Sequence, residues 1–329
     1  MGNIGAIIGP ARSGSTWAGT LVDSCPEVVY RFEPFRRLSV THPLFRLWFD
    51  ELKLEKIEEK DLPELYSMLI KAHPFTNKPP FFPEKSYRQP VFARQAMWPV
   101  ARIVPFVSRL YERVYTTPPG PPIVFKEVTF IKPLKNLLER TSMRIAYLVR
   151  HPCATVLSEI RGQRQGVMPG GRQAHLGEII ARYNPELARE FREIVTGADI
   201  VKRVALLWRC EVEACVPLVR HSPNGLLVAY ERLATETASE SRRLLSHFGL
   251  RFGDQTQRYI DYLHGLSSKI GNPARRTGWG KKYFSVYRNP GDQHEAWKLQ
   301  ISKEDRQKID SVVKGSQVFE QCAALGGWS

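Results

Sequence analysis

The stretch GPARSGST at residues 9–16 decides the fold, because of what stands on either side of it. Residues 3–9 form a short apolar run that predicts a buried strand. After the stretch, apolar residues recur at helical spacing and predict a helix over residues 15–24. A strand, a glycine-containing turn and a helix in this order favour binding of phosphate or sulfate, because backbone N–H groups and the helix N-terminus converge on an anion.

The same loop is similar to the Walker pattern GxxxxGK[ST], with one substitution at its key position. Ser15 stands where the lysine belongs, and Arg12 supplies a positive charge earlier in the loop. A plain glycine turn and a nucleoside-triphosphate kinase are the alternatives that this loop alone leaves open. The sequence shows no convincing second strand that ends in a magnesium-binding aspartate. We therefore predict group transfer without a metal.

The rest of the chain alternates strands with helices. Strands are predicted over residues 28–32, 123–128, 144–149 and 225–230, and helices over 63–71, 100–115, 134–138, 181–195, 201–219 and 302–313, the last behind a capping box at Ser302 and Asp305. This order predicts an α/β, P-loop-like three-layer fold with a central, mostly parallel sheet flanked by helices. Ligands of such sheets bind beyond the carboxyl ends of the strands.

Residues 1–329 are predicted to form a single domain with one insertion. Residues 35–120 differ from the alternating pattern: their helical stretches are interrupted by several prolines, Pro99 among them. We interpret this segment as a helical cap over the site at the sheet edge. Residues 166–171, rich in glycine, have the composition of a mobile lid.

Composition excludes several classes of protein. Lys and Arg total 48 against 33 Asp and Glu, and the net charge of +15 favours an anionic partner. A hydrophobic fraction of 43% excludes wholesale disorder. The five cysteines are scattered and lack zinc-binding spacing, which favours a reducing, cytoplasmic location and no structural metal. No apolar run approaches the roughly 20 residues of a membrane helix, so no membrane span is expected.

A second candidate anion site follows the strand at residues 144–149. Arg150 stands at its end, and Ser158 follows eight residues later on the next helix. Eight residues correspond to about two helical turns, a spacing that lets a guanidinium and a hydroxyl converge on one phosphate. A lone arginine at a strand end is more often a surface salt-bridge residue, but the loop at residues 9–16 favours the functional interpretation. We assign His151 to loop structure.

Together these motifs resemble the PAPS-dependent sulfotransferases. GPARSGSTW at residues 9–17 is similar to the family's 5′-phosphosulfate loop, in which Lys or Arg stands at the Arg12 position. YLVRHP at residues 147–152, with Ser158, is similar to its 3′-phosphate site. VYRFEP at residues 29–34 and VFKEVTF at 124–130 look like segments of the carbohydrate branch, of the GlcNAc-6-O type, although Thr129 replaces its usual arginine. Residues 35–120 match nothing in the family pattern.

The resemblance implies an enzyme that moves the sulfuryl group of PAPS to an acceptor hydroxyl by direct in-line transfer and leaves PAP. PAPS is the implied co-substrate, and no metal is implied. The implied donor-binding residues are Arg12, Ser13, Gly14, Ser15, Thr16, Trp17, Arg150, Ser158, Tyr230, Arg275 and Arg276. The last two belong to a basic loop at residues 274–283 that is similar to the family segment closing on the 3′-phosphate.

Three residues are predicted to carry the chemistry. Arg12 is expected to stabilise charge on the leaving group, and Lys126 is a second candidate cation, unless it is an ordinary surface lysine. Glu33, which follows the second strand, is the predicted base for the acceptor hydroxyl, with a plain salt bridge to neighbouring arginines as the alternative. Glu127 is the next candidate base.

His42 and His73, in the predicted cap, are weaker candidates for the base. The acceptor is predicted to be a saccharide or glycoconjugate, and the unassigned arginines of the cap leave room for an acidic one. A small-molecule alcohol, a phenol or a natural product is the alternative acceptor. A P-loop nucleotide kinase remains a rival from another class, because it uses the same kind of loop. An anion- or RNA-binding protein remains a second rival, because aromatic residues are interleaved with the basic residues of the loop at 274–283. No nucleic-acid partner is expected.

Overall fold

The computed structural model describes residues 2–49, 53–86, 91–166, 168, 175–266, 286–287 and 289–328. Five strands form one sheet: β1 (Ile4–Ile8), β2 (Val29–Phe32), β3 (Ile123–Lys126), β4 (Arg144–Val149) and β5 (Gly225–Ala229). Their order is β2-β3-β1-β4-β5, and every neighbouring pair is parallel. The strands are nearly continuous apolar runs, as is typical of parallel strands covered on both faces.

The helices connect and cover these strands. They are α1 (Ser15–Asp23), α2 (Pro34–Leu38), α3 (Pro43–Phe49), α4 (Leu62–Leu69), α5 (Val91–Ala101), α6 (Pro105–Tyr115), α7 (Ile131–Arg140), α8 (Pro152–Arg164), α9 (Leu176–Tyr183), α10 (Pro185–Glu190), α11 (Arg192–Thr196), α12 (Ile200–His221), α13 (Tyr230–Thr235), α14 (Thr237–His247), α15 (Asp254–Leu263), α16 (Pro290–His294), α17 (Lys303–Val313) and α18 (Gln317–Gly326). None of the described helices has the length and apolar character needed to cross a membrane.

Two apolar cores cover the two faces of the sheet. On one face, Ile7 and Leu148 pack in a cluster with Leu21 of α1 and with residues of α14 and α15. On the other, Ile8 and Tyr147 belong to a cluster built with α7, α8, α12 and α17. The alternation of side chains along each strand sends successive apolar residues to opposite faces. The predicted α/β three-layer fold is therefore confirmed, with the described strands parallel throughout.

The strand register aligns the residues that follow each strand. Lys126 lies opposite both Phe32 and Ile7, and Val149 lies opposite Ala229. The residues that follow the strands therefore lie together at the carboxyl ends of the strands, which we call the sheet edge. After β1 the chain forms β2 and β3 on one side of this strand, and it later forms β4 and β5 on the other side. The strand order therefore reverses between β1 and β4. Ligands bind at such a reversal in open parallel sheets.

Several predicted boundaries are wrong. The helix predicted over residues 100–115 begins at Pro105, and Pro99 lies inside α5, where a proline costs one backbone hydrogen bond but fits near the helix end. The helix predicted over residues 181–195 is split into α9, α10 and α11. Asn184 starts the second of these, because its side chain accepts a hydrogen bond from Leu187 N. The strand predicted to end at residue 230 ends at Ala229.

The C-terminal part differs in one further respect. Of the predicted capping box, the serine half is present: Ser302 Oγ accepts a hydrogen bond from Asp305 N at 2.9 Å at the start of α17. That helix is not the last one, because α18 follows it behind a second serine cap, Ser316, whose Oγ accepts from Phe319 N. Helix α18 was not predicted from the sequence, and only residues 314–316 separate it from α17.

Between β2 and β3, the regular structure of the described residues consists of helices and short 3₁₀ turns, joined by loops. The stretch after α4 runs beside the end of β2: Phe32 N donates to Thr76 O at 2.7 Å, and the Arg31 side chain donates to the carbonyls of Leu69 and Ile70, both at 2.7 Å. This pairing brings the residues that follow Thr76 next to the carboxyl end of β2. The assignment of residues 35–120 as a cap, and of the chain as a single domain, stays a prediction.

Candidate active site

The loop between β1 and α1 has the backbone of an anion cradle. Arg12 and Gly14 both adopt positive φ, 70° and 90°, which turns the chain sharply before the helix begins at Ser15. The first N–H groups of α1 have no partner within their own helix and point out of its N-terminus. The ring of Tyr230 lies where a Cβ on residue 14 would stand. Gly14 is therefore required both by its backbone conformation and by the close approach of this ring.

Replacing Gly14 with alanine is expected to destabilise the protein by about 2–4 kcal/mol and to weaken binding of PAP, because the loop must move away from Tyr230. Gly315→Ala is the matched control: its φ is also 90°, and no atom lies within 4 Å of the added Cβ. Urea unfolding of both variants separates the collision from the backbone strain. Equal destabilisation by the two substitutions would contradict this account of Gly14.

Arg12, Arg150 and Ser158, predicted from separate motifs, lie together. Arg12 Nε donates to Ser158 Oγ at 2.9 Å. Arg150 donates to the carbonyls of Arg12, at 3.5 Å, and of Gln293, at 3.1 Å, and its guanidinium lies 4.2 Å from the centroid of the Tyr230 ring. Tyr230, at the start of α13, thus packs against both the loop and the arginine. The structure joins the two predicted phosphate sites at the β1–β4 reversal.

Buried polar atoms at this place lack partners within the described part of the chain. They include Ser13 Oγ, Trp17 Nε1 and Arg150 Nε. Buried donors are normally satisfied, so each such atom calls for an explanation. A polyanion held between the loop and Arg150 would accept from donors of this kind. These residues therefore fit a nucleotide that carries two phosphate groups.

Glu33 and Lys126 form a buried ion pair at the ends of β2 and β3. Lys126 Nζ donates to Glu33 Oε1 at 2.6 Å, and Arg37 lies 3.3 Å from the other carboxylate oxygen. Burial by itself raises the pKa of Glu33, but the charges of Lys126 and Arg37 outweigh it and lower the pKa to about 2. With 2% of its surface exposed, Lys126 is not a surface lysine, so that alternative was wrong.

Glu127, the second candidate base, is held by the backbone. Its Oε1 accepts hydrogen bonds from Phe35 N at 2.8 Å and Arg36 N at 3.3 Å, at the beginning of α2. Burial, followed by the negative charge of Glu33, raises its pKa to about 8. Glu127 thus supports the turn after β2 through its two hydrogen bonds to the backbone at the start of α2.

His42 and His73, the weaker candidates, lie together with Glu112 of α6. Among the described residues, these three side chains form a group compact enough to share a cation. His73 Nδ1, however, accepts a hydrogen bond from Phe75 N at 3.2 Å, and Nε2 lies 3.2 Å from Glu112. Burial, followed by the charges of His42 and Arg31, lowers the pKa of His73 to about 4. The neutral ring therefore carries its hydrogen on Nε2, which directs a hydrogen bond, and not a metal-ligand lone pair, at Glu112.

Sequence reasoning missed Lys78 at this edge and considered Arg37 only among the neighbouring arginines that could pair with Glu33. The Phe32 ring, at the end of β2, has Lys78 Nζ at 4.4 Å from its centroid, the Arg37 guanidinium at 4.6 Å and Lys126 Nζ at 5.0 Å. Lys78 belongs to the stretch after Thr76 that pairs with β2. It lies in no motif, and only the fold brings it to the site.

The remaining predicted site residues divide into two sets. Ser15, Thr16 and Trp17 begin α1 beside the loop, and Trp17 packs edge-on against Tyr230 at 5.7 Å between ring centroids. Arg275, Arg276 and the basic loop at residues 274–283 lie outside the described residues, as does most of the predicted lid at 166–171.

A parallel α/β sheet, a glycine-containing loop with positive φ after β1 and a cluster of cations at the same end of the strands suit an enzyme that transfers an anionic group from a nucleotide. Comparison with known families makes the class specific, because residues 6–326 match the sulfotransferase domain family. The chain belongs to this family. The match confirms the prediction of a PAPS-dependent sulfotransferase, with PAPS as co-substrate.

Solved structures with similar folds include two sulfotransferase domains and a mouse sulfotransferase. The domain from the Synechococcus olefin synthase is 16% identical, with 94% of each chain covered and a TM-score of 0.45. The domain from the curacin biosynthetic pathway is 12% identical, with 100% of this chain and 99% of the other covered and a TM-score of 0.48. A mouse sulfotransferase complexed with PAP is 11% identical, with 98% and 88% covered and a TM-score of 0.45. No curated protein sequence matches the chain.

Proposed function

We propose that this protein transfers the sulfuryl group of PAPS to a hydroxyl of a carbohydrate or glycoconjugate. The observation that carries the proposal is the hydrogen-bonded group of Arg12, Ser158 and Arg150 beside the Lys126–Glu33 pair. The first three residues offer donors to the two phosphate groups of a nucleotide. The pair offers a cation and a carboxylate at the place where the transferred group would lie.

The donor is held by the loop and the arginine clamp. Backbone N–H groups of residues 14–16 and the Arg12 side chain bind the 5′-phosphosulfate, and Arg150 with Ser158 binds the 3′-phosphate. Tyr230 packs near the adenine, because its ring already lies between Gly14 and Arg150. By resemblance to the family's late basic segment, Arg275 or Arg276, both outside the described residues, contacts the 3′-phosphate.

Transfer then needs one bond exchange and one proton transfer. The acceptor oxygen bonds to sulfur, the bond from sulfur to the bridging phosphate oxygen breaks, and that electron pair leaves with PAP. Arg12 and Lys126 stabilise the charge that develops on the leaving oxygen and the sulfuryl group. Glu33 takes the proton of the acceptor hydroxyl.

The ion pair controls the basicity of Glu33. A carboxylate whose pKa is about 2 is ionised at neutral pH but is a weak base. The anionic sulfuryl group of the donor competes with Glu33 for Lys126. As Lys126 turns to the donor, the pKa of Glu33 rises toward the value for a buried carboxylate, so the base becomes strong only when the donor is bound.

The carbohydrate acceptor rests on the branch resemblance at residues 29–34 and 124–130. Arg37, half-buried at the site, and the exposed Arg102 of the neighbouring loop favour an acceptor that carries negative charge. A second candidate is the hydroxyl of an apolar small molecule. It is favoured by the exposed apolar side chains of α6 and the turn before it, of which Ile103 is 69% and Phe106 75% exposed.

A transfer assay with radiolabelled PAPS decides between the two acceptor classes. Neutral and acidic saccharides, glycolipids, phenols and aliphatic alcohols are incubated in parallel with the protein, and labelled products are separated from the donor. We expect label on an acidic saccharide or glycoconjugate. Label only on phenols or alcohols would contradict the carbohydrate proposal and leave sulfuryl transfer intact.

A cytoplasmic location completes the proposal. All five cysteines are buried and free, and burial raises the pKa of the Cys25 thiol to about 11 and that of Cys153 to about 12. Protonated, buried thiols of this kind suit a reducing compartment. Fractionation of the source cells, followed by immunodetection of the protein, tests the location, and recovery outside the cytoplasmic fraction would contradict it.

A further inference from the structure

Lys78 lies at the sheet edge without an acidic partner of its own. Its Nζ lies 4.4 Å from the centroid of the Phe32 ring, and no salt bridge joins it to any described residue. The carboxylate at this place, Glu33, is already paired with Lys126 and Arg37. Glu127 does not balance the excess, because Arg12, Arg37, Lys78 and Lys126 outnumber the two carboxyl groups of Glu33 and Glu127. The site therefore holds more positive than negative charge.

The charged groups around Lys78 are also mostly positive. The charges that act on it come from Lys126 on β3, Glu33 and Arg37 beside β2, and Arg12 in the loop after β1. Desolvation, followed by the repulsion from Lys126, lowers the pKa of Lys78 to about 7. Such a lysine is half neutral at pH 7, and a bound anion would bring it back to its charged form.

We propose that Lys78 binds the transferred sulfuryl group of the donor, together with Lys126, which also lies near the Phe32 ring. The inference rests on the proposed function, because it requires that PAPS occupies this edge. It adds a residue from the segment between β2 and β3 to the loop and strand residues of the site. Because PAP lacks the sulfuryl group, Lys78 should distinguish PAPS from PAP.

The test compares the affinity of both nucleotides for the wild type and for Lys78→Met. We expect the dissociation constant for PAPS to rise about ten-fold or more, the worth of one charge-assisted hydrogen bond, while that for PAP changes less than about two-fold. Lys71→Met is the matched control, because Lys71 is exposed on the same segment. Unchanged PAP binding also shows that the Lys78→Met protein is folded.

The pH dependence gives a second readout. Binding of PAPS draws a proton onto Lys78, so wild-type affinity for PAPS should fall by up to about ten-fold per pH unit above pH 7. Lys78→Arg should keep the preference for PAPS and lose this dependence, because arginine stays charged. A wild type that binds neither nucleotide would overturn the proposed function. A wild type that binds both, with Lys78→Met showing the same ratio of PAPS to PAP affinity, would overturn only the inference.

Discussion

Turnover of the Glu33→Gln variant is expected to fall about 1,000-fold, while its affinity for PAP stays within about two-fold of the wild type. The loss follows from the assignment of Glu33 as the base, because glutamine cannot take a proton from the acceptor. PAP binding is spared because β2 lies two strands away from β1 in the sheet, about 10 Å from the loop that holds the phosphates. Single-turnover sulfuryl transfer, with the acceptor found in the screen, measures the effect.

The control for this variant is Glu240→Gln. Glu240, on α14 and away from the site, is buried like Glu33. It pairs with two arginines, Arg232 at 3.1 Å and Arg243 at 2.7 Å. Both substitutions take a buried carboxylate charge away from its basic partners, so both are expected to destabilise the protein; the cost is smaller for Glu240→Gln, because Arg232 and Arg243 are 41% and 38% exposed. Full turnover by Glu33→Gln would refute Glu33 as the base. An equal loss by Glu240→Gln would assign the loss to stability.

Replacing Arg150 with alanine is expected to weaken PAP binding about 100-fold or more. The guanidinium lies between Tyr230 and the loop, and its Nε has no partner among the described residues. Two charge-assisted hydrogen bonds to the 3′-phosphate are worth roughly 3 kcal/mol together, which is about two decades in affinity. Calorimetric titration with PAP checks the value.

Arg144→Ala provides the comparison for this substitution. Arg144 begins the same strand at its opposite end, is exposed, and donates to His247 O at 3.0 Å. Its loss should therefore leave PAP affinity unchanged. Arg150→Ala binding PAP as tightly as the wild type would contradict the placement of the 3′-phosphate, whatever the behaviour of Arg144→Ala.

The residues of the proposed donor site could be named from sequence because each part of the site is local in the chain. The loop at residues 9–16 needs only glycines, a strand before it and a helix after it. Arg150 and Ser158 are joined by a strand end and about two helical turns. Their mutual contact through Arg12 was not visible in the sequence, yet it follows once β1 and β4 are neighbours.

The other half of the site depends on tertiary structure. Lys126 was equally compatible with a surface position until β3 proved to be the strand between β1 and β2. Lys78 reaches Phe32 from a proline-rich stretch without helical or strand periodicity, so no pattern marks it. Glu127 and Glu33 both follow neighbouring strands, so the sequence treats them alike. The hydrogen bonds that Glu127 accepts at the start of α2 identify it as a structural support and leave Glu33 as the candidate base.

The central claim is that the sheet edge binds a 3′,5′-bisphosphorylated nucleotide. Calorimetric titration of the wild-type protein with PAP in the absence of magnesium, and with ATP in its presence, tests the claim most directly. We expect saturable binding of PAP to a single site and weak or no binding of ATP. Tight binding of ATP with magnesium and indifference to PAP would contradict the claim.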